Sequence, residues 1–316
     1  MHSVAELEDR LSEPSGALIA ALAALDGDIL ILGAGGKLGP SLTRLALRAV
    51  NGSKSVIAVS RFGDKAAADE LTKAGAKIIS ADVTDDSTLA GLPDARNVIF
   101  LVGSKFGSTG REAETWYTNA YLPGRIAERY KSSRIVALST GNVYSFTPVG
   151  SGGPTEETAP APIGEYAMSC LGRERVMTSF AQRNKTPLAI IRLNYAVEMR
   201  YGVLIDIARS VFAKTPVDVT MSAVNVVWQG YANEAVLRSL RHATPEPFML
   251  NVAGPETLSV RQLATDFGKI FGVEPVLTGS EAPTALLSNS GKCIRLFGYP
   301  GVPLGQLMEW TAGWVK

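Results

Sequence analysis

A strand-like run, Asp28-Ile29-Leu30-Ile31-Leu32, leads straight into Gly33-Ala34-Gly35-Gly36-Lys37-Leu38-Gly39, and a helical pattern from Ser41 to Val50 follows at once. Strand, glycine turn and helix in this order put a helix N-terminus at the tip of a strand. Bare backbone N–H groups and the positive end of the helix dipole then face whatever anion sits there. Glycine is called for because a Cβ would hold a ligand off or block the turn. The glycines read in two registers: Gly33, Gly36 and Gly39 as G-x-x-G-x-x-G, or Gly33, Gly35 and Gly39 as G-x-G-x-x-x-G. In either register the layout fits the diphosphate of a dinucleotide, held by Gly33, Gly35, Gly36, Lys37, Leu38 and Gly39. A plain glycine-rich turn is the competing reading, and the βα units that follow weigh against it.

Those units continue through two-thirds of the chain. Strand patterns at 28–33, 54–60, 76–81, 97–102, 134–139 and 187–193 alternate with helical patterns at 37–50, 64–74, 111–131 and 164–184. Mostly continuous apolar strands alternating with helices predict an α/β fold with a doubly wound parallel sheet of the Rossmann type. Its ligands belong at the C-terminal edge of the strands. The Pro-, Gly- and Thr-rich stretch 147–163 reads as a loop near that edge. After residue 195 the pattern becomes mixed, with short strands near 217–219, 224–228 and 247–252 and helices near 203–213, 229–241, 259–271 and 304–315. The expected organisation is an N-terminal helical extension (1–26), a dinucleotide-binding domain (27–195) to which a later strand and helix can return, and a smaller mixed α/β C-terminal substrate lobe (196–316). In the extension, Ala17, Leu18, Ala21, Leu22 and Leu25 form an apolar stripe expected to lie against the edge of the domain.

Composition excludes several classes. The net charge of +1, without a Lys/Arg block, points to no nucleic-acid partner. No apolar run reaches the ~18–20 residues of a membrane span, and the acidic N-terminus is unlike a signal peptide. A reducing cytoplasm is the expected location. Cys170 and Cys293 lie far apart, and the two histidines, His2 and His242, offer too little for a metal site or a triad.

The second strand ends in Val59-Ser60-Arg61, with no Asp or Glu to accept from a ribose 2′-OH. Arg61 instead offers a fork to a 2′-phosphate, and Lys37 adds a nearby cation, so NADP is expected ahead of NAD. A solvated Arg61 is the alternative. Asp82 and Val83, ending the third strand, and Val102 and Gly103, ending the fourth, complete the expected cofactor contacts. Asp82 reads equally as a turn-former or as a partner for the adenine amino group.

In order and spacing, residues 28–275 resemble the extended short-chain dehydrogenase/reductases, especially the nucleotide-sugar epimerases and dehydratases. The likeness rests on the glycine turn, Asp82, Asn119 in Trp116-Tyr117-Thr118-Asn119, and Leu138-Ser139-Thr140-Gly141-Asn142-Val143-Tyr144. It also takes in Tyr166-Ala167-Met168-Ser169-Cys170 and the late stretch Asn251-Val252-Ala253-Gly254-Pro255-Glu256-Thr257-Leu258-Ser259. The resemblance implies that Tyr166 is the acid/base, that Thr140 holds the substrate oxygen, and that Asn119 supports the site. The chain departs at Cys170, which stands where the family places a lysine four residues after the tyrosine. A neutral thiol supplies no positive field, and a thiolate would push the tyrosine the wrong way. Three groups offer compensation: the oxidised nicotinamide itself, Arg173 one turn further on, and Lys105 behind the fourth strand, entering from the opposite side. For Cys170 itself, a small packed side chain fits better than a nucleophile, which would need a base.

A small sugar-like molecule is the expected substrate. Asn194, near the end of the sixth strand, stands close to the family's substrate asparagine, in a register one residue short. Arg200 and Tyr201 are candidates to hold an anionic or sugar-like group, or else a solvated loop. The family's Tyr-Gly-Pro is replaced by Ala196-Val197-Glu198-Met199. Two functions remain open at this stage. One is an NADP-dependent epimerase, dehydratase or reductase acting on a hydroxyl or keto group. The other is an NADP-binding sensor or scaffold without turnover, which the missing lysine favours. The resemblance further implies a homodimer through helices 111–131 and 164–184.

Overall fold

In the computed structural model, which describes residues 1–63, 65–105 and 109–316, the strand side chains divide by parity between two helical layers. In β1 (Ile29–Leu32) all four residues are fully buried. Ile29 and Ile31 enter one apolar core and Leu30 and Leu32 the other. The division repeats in β2 (Val56–Ser60), where Val56 and Ala58 face one way and Ile57 and Val59 the other. Burial on both faces is why these runs carry no polar alternation. The sheet continues with β3 (Lys77–Ser80), β4 (Asn97–Phe100), β5 (Arg134–Thr140), β6 (Leu188–Leu193) and β7 (Phe248–Val252). All seven run parallel in the order β7-β6-β5-β4-β1-β2-β3. Only the edge strand β3 lacks a buried residue. The order reverses between β1 and β4, which sets Leu32 beside Phe100 and opens a crevice at their C-terminal ends.

One helical layer holds α1 (Val4–Leu11), α2 (Gly16–Ala23) and α3 (Gly39–Val50). The next helix expected, 64–74, begins at a position outside the described residues and is seen as α4 (Lys65–Lys73). The other layer holds α5 (Asp86–Gly91), α6 and α7 (Glu165–Asn184). The pattern expected at 111–131 is not one regular helix. α6 runs as Glu112–Trp116, then a π turn, Tyr117–Tyr121, then Leu122–Arg129. The π turn rotates the face that follows it, and Asn119, inside it, is completely buried.

The later chain does more than build a lobe. β7, whose sequence sits among the mixed elements after residue 195, pairs with β6 in the central sheet, Val252 opposite Leu193. α8 (Val203–Phe212) belongs to a second core, whereas α9 (Gln229–Arg238) buries Ala232 and Val236 in the same core as Ile29. Trp228 and Phe267 fill the second core with residues of the last helices. The N-terminal helices do not simply lie on an edge. Leu18 and Leu22 of α2 are fully buried in the first core, and Leu7 and Leu11 of α1 are fully buried in the second.

Candidate active site

Gly33 follows β1 with φ +91°, a conformation L side chains rarely adopt, and turns the chain back toward α3. A Cβ on Gly39 would fall on the carbonyl oxygen of Ala34, so glycine lets α3 pack against the turn. No side chain caps α3, and Pro40 occupies its first turn. Among the described residues the N–H groups of Gly35 and Leu38 donate to no protein acceptor. Gly33, Gly35 and Gly36 form one wall of a cavity of about 580 Å³ at the strand ends. An uncapped helix start and a side-chain-free cradle suit a diphosphate.

The same cavity is lined by Ser60, Arg61, Asp82, Val83, Val102 and Gly103, so the sequence-derived cofactor residues from four strand ends converge. Of that set, Lys37, Leu38 and Gly39 do not line it. Gly39 is buried, and the Lys37 ammonium lies 4.9 Å from the ring centre of Tyr201. The Arg61 side chain is 80% exposed and lies 4.0 Å from Asp82. Asp82 accepts from the Thr84 amide at 3.0 Å and its hydroxyl at 2.7 Å, and these bonds hold its carboxyl below the usual range. Asp82 is therefore a turn-former, and it also lines the cavity. Phe62 lines it too, in the left-handed region at φ +43°, and composition offered no signal for that.

Beyond the cradle, Tyr166 lies in the first turn of α7, and Thr140 closes β5. The Thr140 hydroxyl caps the short turn 141–143, accepting from the Asn142 amide at 3.2 Å and donating to the Asn142 side chain at 3.0 Å. Burial pushes the Tyr166 phenol well above its ordinary range, and Cys170 adds to this. Arg173 and a hydrogen bond with Thr140 oppose it. Cys170 is 2% exposed and packs with Val143, Tyr144, Tyr166 and Leu171. Burial raises its thiol, with Arg173 opposing, so the packed, protonated side chain is no poised nucleophile.

Asn119 joins three elements. Its side-chain oxygen accepts from the Ser104 amide at 2.8 Å and from Arg173 at 3.0 Å. Its side-chain nitrogen donates to the Ser104 carbonyl at 2.8 Å and to the Ser169 hydroxyl at 3.0 Å. Ser169 in turn donates to the Tyr166 carbonyl at 2.8 Å. Arg173 also donates to the Asn119 and Leu138 carbonyls and is 5% exposed. It is locked beneath the strand ends. Ser104 and Ser169 escaped the sequence reading, since single serines carry no periodic signal.

Asn194 is buried at the end of β6, where its backbone amide donates to the Val252 carbonyl at 2.9 Å and its side chain approaches Gly141. Arg200 and Tyr201 turn to other partners. Arg200 pairs with Glu198 at 2.9 Å and with Glu8 of α1 at 2.6 Å. The Tyr201 hydroxyl lies 2.9 Å from the Lys37 carbonyl and 2.7 Å from the Gln229 side-chain oxygen, bracing the glycine turn from behind. Among the described residues no group of His, Cys, Asp and Glu suits a metal ion, and no helix is long and apolar enough to cross a membrane.

The sequence pattern of the NAD dependent epimerase/dehydratase family matches residues 29–197. In structure the chain is similar to the UDP-glucuronic acid 4-epimerase from Bacillus cereus, in complex with UDP-glucuronic acid and NAD. The TM-score is 0.78 at 18% identity, covering 91% of this chain and 98% of that one. It is also similar to the UDP-Glc/GlcNAc 4-epimerase from Campylobacter jejuni (TM-score 0.75, 18% identity, 92% and 99% covered). MoeE5 in complex with UDP-glucose and NAD gives a TM-score of 0.74 at 19% identity, with 91% and 98% covered. No curated protein matches the chain in sequence. At these identities the structural likeness establishes a shared fold.

Proposed function

The chain belongs to the NAD dependent epimerase/dehydratase family, and on that premise we propose that it is an enzyme acting on a hydroxyl or keto group of a sugar or nucleotide sugar. The observation that carries this reading is the meeting of Tyr166 and Thr140 at the strand-end edge that also holds the glycine cradle. When bound, the nicotinamide supplies a site that accepts or returns a hydride. Thr140 holds the substrate oxygen, and Tyr166 gives a proton to that oxygen or takes one from it. Asn119 fixes the helix and the strand end at their working separation. Two of the similar structures hold UDP-glucose or UDP-glucuronic acid, which supports a nucleotide sugar as the first class to try.

The test is conversion of a panel of nucleotide sugars, resolved by chromatography, for wild type and Tyr166→Phe. Turnover lost in the variant supports the assignment. Turnover untouched by the variant overturns it. A second reading, a binding protein that senses or scaffolds without turnover, is favoured by Cys170 in the lysine's place. Tight cofactor binding with no conversion in either protein would select it.

For the cofactor we propose NADP, because Ser60 stands where an acid would read a ribose and Arg61 lines the cavity. Two of the similar structures carry NAD, so both forms enter the competition assay. We also propose a homodimer through α6 and α7. Trp116 and Tyr121 are 39% and 58% exposed, and with Phe180 and Val176 they line an apolar cleft of about 650 Å³. Sedimentation of the wild type and of Tyr121→Glu tests it.

A further inference from the structure

The reacting end calls for a cation that helix α7 does not provide at position 170. A phenol ionises near pH 10 in water, and burial and Cys170 both push Tyr166 higher. Arg173, on the same helix, is held by Asn119 and Leu138 and cannot leave them without stripping a buried network. On the facing wall, the loop after β4 brings in Lys105. Its ammonium nitrogen lies 5.6 Å from the centre of the Tyr166 ring, within cation–π range. Cys170 follows Tyr166 by one turn of α7, on the same helix face.

We propose that Lys105 is the positioning residue that supplies Tyr166 with the positive charge the family draws from a lysine at position 170, delivered across the site instead of along the tyrosine's own helix. The inference rests on the proton role given to Tyr166. The groups acting on that phenol are Cys170 and Arg173 from α7 and the neutral Thr140 from β5, while Lys105 from the β4 loop lies over the ring. Glu174, which acts on Cys170, is neutralised by Arg192 at 2.7 Å. Cys170, small and protonated, adds no cation of its own beside Lys105, and Lys37 is the cation that acts on it. The protein around the ammonium lowers the lysine's pKa, Cys170 opposes this, and Lys37 pushes the same way. Lys105 as a whole is exposed, so solvent screens part of its field. Between the near-surface and aqueous limits, a unit charge several ångströms away shifts a titration by about one pH unit.

The test places a fluorinated tyrosine, whose phenol ionises at lower pH, at position 166 and follows its titration by 19F NMR in the protein without cofactor. Lys105→Met, and independently Lys105→Gln, is expected to raise the midpoint by about one pH unit. Lys105→Arg should leave it near the starting value, and adding Cys170→Lys to Lys105→Met should bring it back down. A midpoint unmoved by either neutral variant overturns the inference. A shifted midpoint in a protein that converts no substrate would support the electrostatic relationship and count against the proposed enzyme, so the two failures stay distinguishable.

Discussion

The side-chain nitrogen of Asn119 donates to the hydroxyl of Ser169 at 3.0 Å, and this bond couples the π turn of α6 to the first turn of the helix that carries Tyr166. Through its other bonds the same amide holds Ser104 and Arg173. Asn119→Ala would leave a buried guanidinium and a buried amide short of an acceptor. The expected cost is about 3 kcal/mol of stability, read by urea denaturation, with turnover reduced beyond what the loss of folded protein explains.

The glycine turn offers a graded pair of substitutions. Gly39→Ala drives a methyl into the Ala34 carbonyl, with no flexible side chain to yield. It is expected to lower the melting temperature and abolish cofactor binding. At Gly36 an added Cβ meets only the Gly33 oxygen at 3.3 Å. Gly36→Ala should therefore fold nearly as wild type and weaken cofactor binding alone, because its methyl stands on the cradle wall. Fluorescence titration and calorimetry separate the two effects.

Arg61→Ala should weaken NADP by about tenfold, the worth of a partly exposed charge-assisted contact, and leave NAD nearly unchanged. Equal losses for the two cofactors would show that Arg61 does not read a 2′-phosphate.

The pH dependence of turnover follows from Tyr166. Burial holds its pKa above the ordinary phenol value, so the group is protonated at neutral pH. A proton donor is ready there, and carbonyl reduction should run without an alkaline requirement. Oxidation of a hydroxyl needs the phenolate, and its rate should climb with pH through the alkaline range. A profile that falls over that range would contradict a phenol as the base.

The parts of this arrangement visible in sequence are those made by short-range rules. β1, the glycine turn and α3 are contiguous, and two-sided burial makes Ile29 to Leu32 apolar throughout. The convergence of Ser60, Asp82 and Gly103 follows from parallel topology, which carries every strand end to one edge. The π turn was hidden, because an added residue in a helix leaves a normal-looking composition. That a later strand can return to the sheet is legible in sequence, but not that β7 is that strand, because its partner β6 lies far upstream and periodicity says nothing about pairing. Arg200 and Tyr201 looked available for a substrate. Their partners Glu8 and Lys37 lie more than 150 residues away, at separations of 192 and 164.

The most direct measurement is a calorimetric titration of the purified protein with NADP and NAD in both redox states. The account predicts saturable binding of one dinucleotide per chain, weakened by Gly36→Ala and preserved in Tyr166→Phe. Absence of binding by all four forms would contradict it.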